Sequence, residues 1–145
     1  MHFRQQYSFL SNFYACDIEM EDGIIYPSVE HAYVASKTLN MGERVSVLNM
    51  TPGQAKRYGR TISIRPDWDT YRLEIMLVLL RKKFAIPSLA KKLLAIVEPI
   101  VEDNYWGDTF WGVCKGEGRN ELGNLLMQVQ DEILQDQLND FMVRK

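Results

Sequence analysis

From Tyr26 to Lys37 the chain reads Tyr-Pro-Ser-Val-Glu-His-Ala-Tyr-Val-Ala-Ser-Lys, and this stretch sets narrow terms for the fold around it. Ser28 is a good helix N-cap, because its hydroxyl can take one of the orphan N–H groups of the first turn. Pro27 disfavours helix for Tyr26, so the start is sharp. No Gly or Pro follows until Gly42, which predicts about three turns. On a 3.6-residue period Glu30 and Lys37 return to nearly the same face, about 10 Å apart along the axis. A small molecule lying along that face meets an acid and a base. The plainer account is a solvated face on which both charges complement the helix macrodipole.

The approach to this helix is also readable. Cys16, Ile18 and Met20 alternate with Asp17 and Glu19, the pattern of a half-buried strand. Glu21-Asp22-Gly23 supplies the positive φ of a tight turn. Ile24-Ile25-Tyr26 is the return strand and delivers the chain into the Ser28 cap. Before the hairpin, Phe9-Leu10-Ser11-Asn12-Phe13-Tyr14 reads as a buried strand or turn. Asn12 there is either a backbone partner or a recognition group offering donor and acceptor together.

A length of 145 residues fits one domain with a sizeable core. A net charge of −2 gives no bulk attraction to nucleic acid. Cys16 and Cys114, with His2 and His31, show no metal-ligand spacing. Two lone cysteines and a polar N-terminus suit a reducing cytosol, so a cytoplasmic protein is expected. The longest apolar run, Ile75 to Leu80, is too short to span a bilayer.

Beyond the first helix, Met41-Gly42 breaks the pattern, and 43–50 reads as a short helix. Thr51 is an N-cap with Pro52 at the first helical position, and Gly59 is expected to end that helix in a left-handed conformation. Lys56, Arg57 and Arg60 gather near its end, either as dipole complement or as a phosphate clamp led by Arg60. Residues 61–65 alternate as a short strand or extended loop. Pro66-Asp67 caps a long helix from Trp68 to about Phe84, with a stripe of Trp68, Tyr71, Ile75, Leu79 and Leu80. Trp68 serves either packing or stacking on a base. Leu89 to Ile96 is a further amphipathic helix, and Pro99 to Glu102 a short buried strand.

The most unusual composition lies at 104–113, where Tyr105, Trp106, Phe110 and Trp111 surround Gly107 and Asp108. Such a loop either seals a core edge or floors a pocket with one placed acid, and the pocket is the favoured reading. Asn120 is expected to cap a last helix with a stripe of Leu122, Leu125, Leu126, Val129 and Ile133, and 136–145 to stay helical or fray.

Taken in order, these residues resemble the NADAR superfamily, the YbiA-like N-glycosidases. The resemblance rests on Ser11-Asn12-Phe13-Tyr14, Pro27-Ser28-Val29-Glu30-His31 with Lys37, Gly59-Arg60, and Arg65-Pro66-Asp67-Trp68. It continues in Trp106-Gly107-Asp108 with Phe110-Trp111-Gly112, and in Asn120 with Leu122-Gly123. It implies a compact, mostly helical α+β domain spanning 1–145, with a small N-terminal β-hairpin and short strands. It implies hydrolysis of the bond between ribose C1 and an exocyclic amine. The substrates of such proteins include ribosylamino-pyrimidine phosphates of riboflavin synthesis and ADP-ribosyl groups on guanine. No metal, cofactor or membrane partner is implied, and oligomeric state stays open.

On the same resemblance Lys37 maps to a lysine implicated in covalent catalysis, with Glu30 and Asp108 as the carboxylates. Asn12, Arg60, Arg65, Trp68, Trp106, Trp111 and Asn120 are the expected substrate-binding positions. The competing expectation is a module that binds ADP-ribose or NAD without cleaving it.

Overall fold

The hairpin forms where the alternation placed it. The computed structural model describes residues 1–144, and in it β1 (Ala15–Glu19) pairs antiparallel with β2 (Ile25–Ser28). The register sets Ile18 opposite Tyr26 and Ala15 opposite Ser28, with an irregularity between Ala15 and Ile18. Gly23 takes φ +83° in the turn, as the Asp-Gly signal requires. Residues 5–10 form a 3₁₀ turn and 11–14 bends and turns, so of the strand or turn expected over 9–14 the turn is what forms.

Six α-helices and two two-stranded sheets make up the described residues, an α+β fold. The chain folds as two units, Asn12–Lys83 and Met1–Ser11 with the chain from Phe84 onward.

The Asn12–Lys83 unit holds the hairpin, α1 (Val29–Ser36), α2 (Met41–Ser46) and α3 (Pro52–Tyr58). It also holds α4 (Trp68–Phe84) up to Lys83. Helix α1 has eight residues, two turns instead of the expected three. Its early end has a cause far along the chain: the Lys37 carbonyl accepts the Arg65 N–H at 2.7 Å instead of continuing the ladder, and Asn40 caps α2 by accepting from Glu43 N–H. In α3, Thr51 and Gln54 form a full capping box. Gly59 is not left-handed; its φ is −59°. Glycine serves closeness instead, since a Cβ there would stand 3.2 Å from both Val34 methyl carbons. Residues 61–65 are loop, and α4 begins and ends where its stripe predicted. Tyr71 of that stripe is exposed, whereas Met76 and Lys83 are buried.

In the other unit α5 (Pro87–Leu94) packs on α6 (Glu121–Val143). Gln130 ties them by donating to the Leu93 and Ile96 carbonyls, both at 2.8 Å. The strand expected at 99–102 falls later, as β3 (Asp103–Asn104) paired parallel with β4 (Val113–Cys114). Helix α6 carries the helical expectation for 136–143, and Lys145 lies outside the described residues. Among the described residues no helix is long and apolar enough to cross a membrane.

Lys83 is fully buried, with its ammonium 5.5 Å from the Tyr14 ring centroid. Burial pushes its pKa down from 10.5 to about 8, and Cys16 nearby offsets part of that. Between these two values the unfolded chain holds a proton that the folded one has released, so stability rises with pH there. From pH 8 to 9 the gain is about 1 kcal/mol, less an opposing share from Cys16, whose thiol burial pushes up. Urea midpoints at the two pH values check this; a fall across the interval would show that Lys83 keeps its proton.

Candidate active site

The helix that carries Glu30 has no solvated face. Every residue of α1 is buried, Glu30 among them at 9% exposure. The dipole-on-a-surface account of Glu30 is therefore set aside. What holds this acid in place starts at the cap. The Ser28 hydroxyl accepts the His31 N–H at 3.2 Å and meets His31 Nδ1 at 2.6 Å. His31 Nε2 lies 2.7 Å from the Met50 carbonyl. The tautomer with its proton on Nε2 satisfies all these groups: Nε2–H donates to Met50, and Nδ1 accepts from Ser28. The pair looks like a nucleophile and its base, but both residues are shut away from solvent, so it clamps the first turn. Glu30 N–H donates to the Asn12 carbonyl at 3.0 Å, which ties the acid's backbone to the start of the Asn12-Phe13-Tyr14 segment.

Lys37 is the C-cap of α1, the residue where the buried helix ends. Its amine stands 5.4 Å from the Tyr33 ring centroid. Tyr33 meets the buried Trp68 edge to face at 5.0 Å, so Trp68 supports the ring beside Lys37. Burial lowers the Lys37 pKa from its ordinary 10.5; Glu30 works to raise it, and Arg60 and Lys56 push it further down. Four of the expected residues thus bear on one amine: Glu30 and Arg60 by charge, Trp68 through Tyr33, and Arg65 by its backbone bond. Lys56 also reaches the exposed Phe13 ring, 6.0 Å from its centroid.

Two of the expected binding groups in this unit have other occupations. Arg65 grips Asp67 with two hydrogen bonds, Nε to Oδ1 at 2.6 Å and Nη2 to Oδ2 at 2.8 Å. Asn12 donates weakly to Met76 Sδ at 3.8 Å, and its Oδ1 is buried without a hydrogen-bond partner among the described residues.

The remaining expected residues belong to the other unit. Asp108 is half-buried, and its Oδ1 accepts from the N–H groups of Phe110 and Trp111 at 3.0 and 2.9 Å. Asn104, buried, completes the loop by exchanging hydrogen bonds with the Asp108 backbone in both directions. Oδ2 of Asp108 makes no hydrogen bond or ion pair among the described residues. Trp106 is 61% exposed, and Trp111 meets Phe110 edge to face. Asn120 does not cap α6 with its side chain. Its backbone is left-handed, and its amide accepts from Glu102 N–H and donates to the Ile100 carbonyl. Among the described residues no group of three His, Cys, Asp or Glu side chains gathers to hold a metal ion. Reading the sequence placed Tyr33 between Glu30 and Lys37 but missed Lys56 as a neighbour of Lys37; its helical spacing to Arg60 was the available signal.

Asp108 joins a loop duty to a spare oxygen, so its variants separate the two. Asp108→Asn keeps the accepting Oδ1 and should hold thermal stability near wild type. Asp108→Ala should cost about 1–2 kcal/mol by freeing two N–H groups. Equal melting temperatures for the two variants would deny the loop role.

A family model described as the NADAR domain matches residues 1–134. The chain is 37% identical to a riboflavin biosynthesis protein of Vibrio vulnificus over 134 residues, covering 89% of this chain and 36% of that protein. It is 33% identical to a chloroplastic riboflavin biosynthesis protein of Zea mays over 143 residues, covering 86% of this chain and 23% of that one. The chain thus spans about a third or less of these two relatives. With the N-glycosidase YbiA of Escherichia coli the identity is 33% over 136 residues, covering 88% of this chain and 82% of that protein. The NMR structure of E. coli YbiA superposes with a TM-score of 0.81 at 31% identity, covering 95% of this chain and 86% of that one.

Proposed function

This chain belongs to the NADAR family, and from that premise we propose that it is a hydrolase of N-glycosidic bonds. Its substrate class is a phosphorylated riboside whose C1 is bonded to an exocyclic amine. Ribosylamino-pyrimidine phosphates fit that description, and so does ADP-ribose on guanine. The names of the relatives, N-glycosidase and riboflavin biosynthesis protein, favour the first. A cytoplasmic location goes with this reading, in keeping with two free cysteines.

The observation that carries the proposal is the Lys37 amine, pushed towards its neutral form by burial and two cations at the end of a buried helix. A neutral amine is a nucleophile and an ammonium is not. In the proposed route the sugar ring opens, the Lys37 amine adds to C1, and the C1–N bond to the base breaks. The base leaves as an amine with a proton. Water then adds to the resulting imine at C1 and releases the sugar aldehyde and Lys37. Glu30 is the proton carrier, close enough to act on the Lys37 charge. Arg60 is the phosphate ligand, and Asn12 orients the base or a sugar hydroxyl. Asp108, as a second carboxylate, activates water or holds ribose hydroxyls, a role that rests on the family resemblance.

Reductive trapping tests the route. Wild type and Lys37→Ala are each incubated with a ribosylamino-pyrimidine phosphate and a mild hydride donor, then read by intact mass. The expected result is a ribose-phosphate adduct on the wild type alone and a loss of turnover of about 10³-fold or more in Lys37→Ala. Free base released without an adduct would keep the hydrolase and remove the lysine route. A melting-temperature shift with neither adduct nor free base would point to a binding module.

The pH profile gives a second test. If the neutral amine is the reacting form, log kcat/KM should rise with pH and level off below 10.5, the ordinary lysine value. Arg60→Gln removes a cation that repels the Lys37 proton, so the break should move to higher pH. A break that stays fixed in Arg60→Gln would assign it to another group.

A further inference from the structure

A second cavity, of about 620 Å³, opens in the Asn12–Lys83 unit, and neither Glu30 nor Lys37 lines it. One wall is a face of α4 and the segment before it, with Arg65, Asp67, Tyr71, Ile75 and Val78. The other is the hairpin turn, Tyr26 and Arg44. That volume suits a mononucleotide-sized ligand, and six of the twelve lining residues are charged, four carboxylates and two arginines.

Two arginines in these walls keep donors unspent. Asp22 accepts three hydrogen bonds: Oδ1 from Ile24 N–H, and Oδ2 from the Tyr26 hydroxyl and from Arg44 Nη1. Asp67 spends both oxygens on Arg65. Each guanidinium, in contrast, keeps one terminal nitrogen unspent. Arg44 uses Nε on the Thr38 carbonyl and Nη1 on Asp22, which leaves Nη2. Arg65 uses Nε and Nη2, which leaves Nη1. Neither nitrogen has a partner among the described residues. Both side chains are held in the walls, at 18% and 23% exposure. These two nitrogens are fixed donors, and they suit an acceptor-rich anion. Two further carboxylates, Glu21 and Glu74, line the cavity. Glu21 is paired with Lys82 at 3.4 Å, and Glu74 is exposed, where solvent screens it.

The cavity also offers aromatic surface. Tyr71 is 42% exposed, and a ring in that position can stack on a planar base. We propose that this cavity is a binding site for a mononucleotide, its phosphate held by Arg44 Nη2 and Arg65 Nη1 and its base against Tyr71. The site stands on its own lining and does not depend on the Lys37 chemistry.

The test is a titration of ¹⁵N-labelled protein with adenosine 5′-monophosphate, followed by amide shifts. The expected shifts are at Ser36, Tyr71 and Val78, with adenosine alone and inorganic phosphate alone each at least ten-fold weaker. Val78→Trp, placed at a half-exposed wall position, should fill the cavity, leave the melting temperature unchanged and weaken binding at least ten-fold. Tyr71→Ala should weaken it as well and decides the matter if Val78→Trp fails to fold. Shifts confined to Glu30 and Arg60, no binding at millimolar nucleotide, or unchanged affinity in the folded variants would each overturn the site.

Discussion

A helix buried on every side must find partners for each polar group it takes out of water, and α1 shows what that requires. A hydroxyl or imidazole left unpaired in such a place costs about 1–3 kcal/mol. Here Ser28, His31 and the Met50 carbonyl satisfy one another, and the Ser36 hydroxyl donates back to the Ala32 carbonyl at 2.7 Å. Removing any member of the Ser28–His31–Met50 set would leave a buried group orphaned. The set also joins the first turn of α1 to the end of the 47–50 turn, so the position of Glu30 follows from it. Because α1 is closed on all sides, its charged chemistry can reach solvent only where the helix stops, which is at Lys37.

Helix starts were the most legible part of this fold. Ser28 and Thr51 each accept the N–H expected of a cap, because capping is decided by residues within one turn of each other. Helix ends were less so. Nothing between Lys37 and Gly42 forbids helix, and α1 stops because a residue 28 positions later competes for the Lys37 carbonyl. Gly59 misled for a related reason. Its lack of a Cβ answers Val34 across α1 and α3, a contact that local reading cannot see. Lys83 was hidden by its chemical type, since lysine on a helix reads as solvated unless the whole fold closes over it.

The site divides along the same line. The residues near Lys37 were legible as a motif, and their burial was not. The polar residues of the aromatic loop were legible as unusual, but their work was not. Asp108 and Asn120 each hold backbone N–H groups of their own unit, so a side chain that looks placed for a ligand is first placed for the loop. The same is true of Arg65, whose fork is closed on Asp67. Structural duty and ligand duty can share a side chain only when one of its atoms stays unspent, as Oδ2 of Asp108 and Nη1 of Arg65 do.

Two lysines among the described residues have amines pushed towards neutrality, and burial alone does not tell them apart. Lys83 is brought down to about 8, yet it is 0% exposed and its neutrality comes from exclusion of water. A substrate cannot reach such an amine unless the core opens, so its shift reads as a cost of folding. Lys37 is half-exposed at a helix end, and its proton is disfavoured partly by Arg60 and Lys56. Those cations have a second use, because a phosphorylated substrate brings the negative charge that they lack. An anion bound there would offset their push on Lys37 and draw its pKa back up, so phosphate binding and amine neutrality oppose each other. Burial, the first cause of the Lys37 shift, does not depend on those cations and resists that reversal, provided the bound substrate also excludes water. An amine that must stay neutral beside a phosphate therefore needs its desolvation more than its cationic neighbours, and the closed helix α1 supplies it.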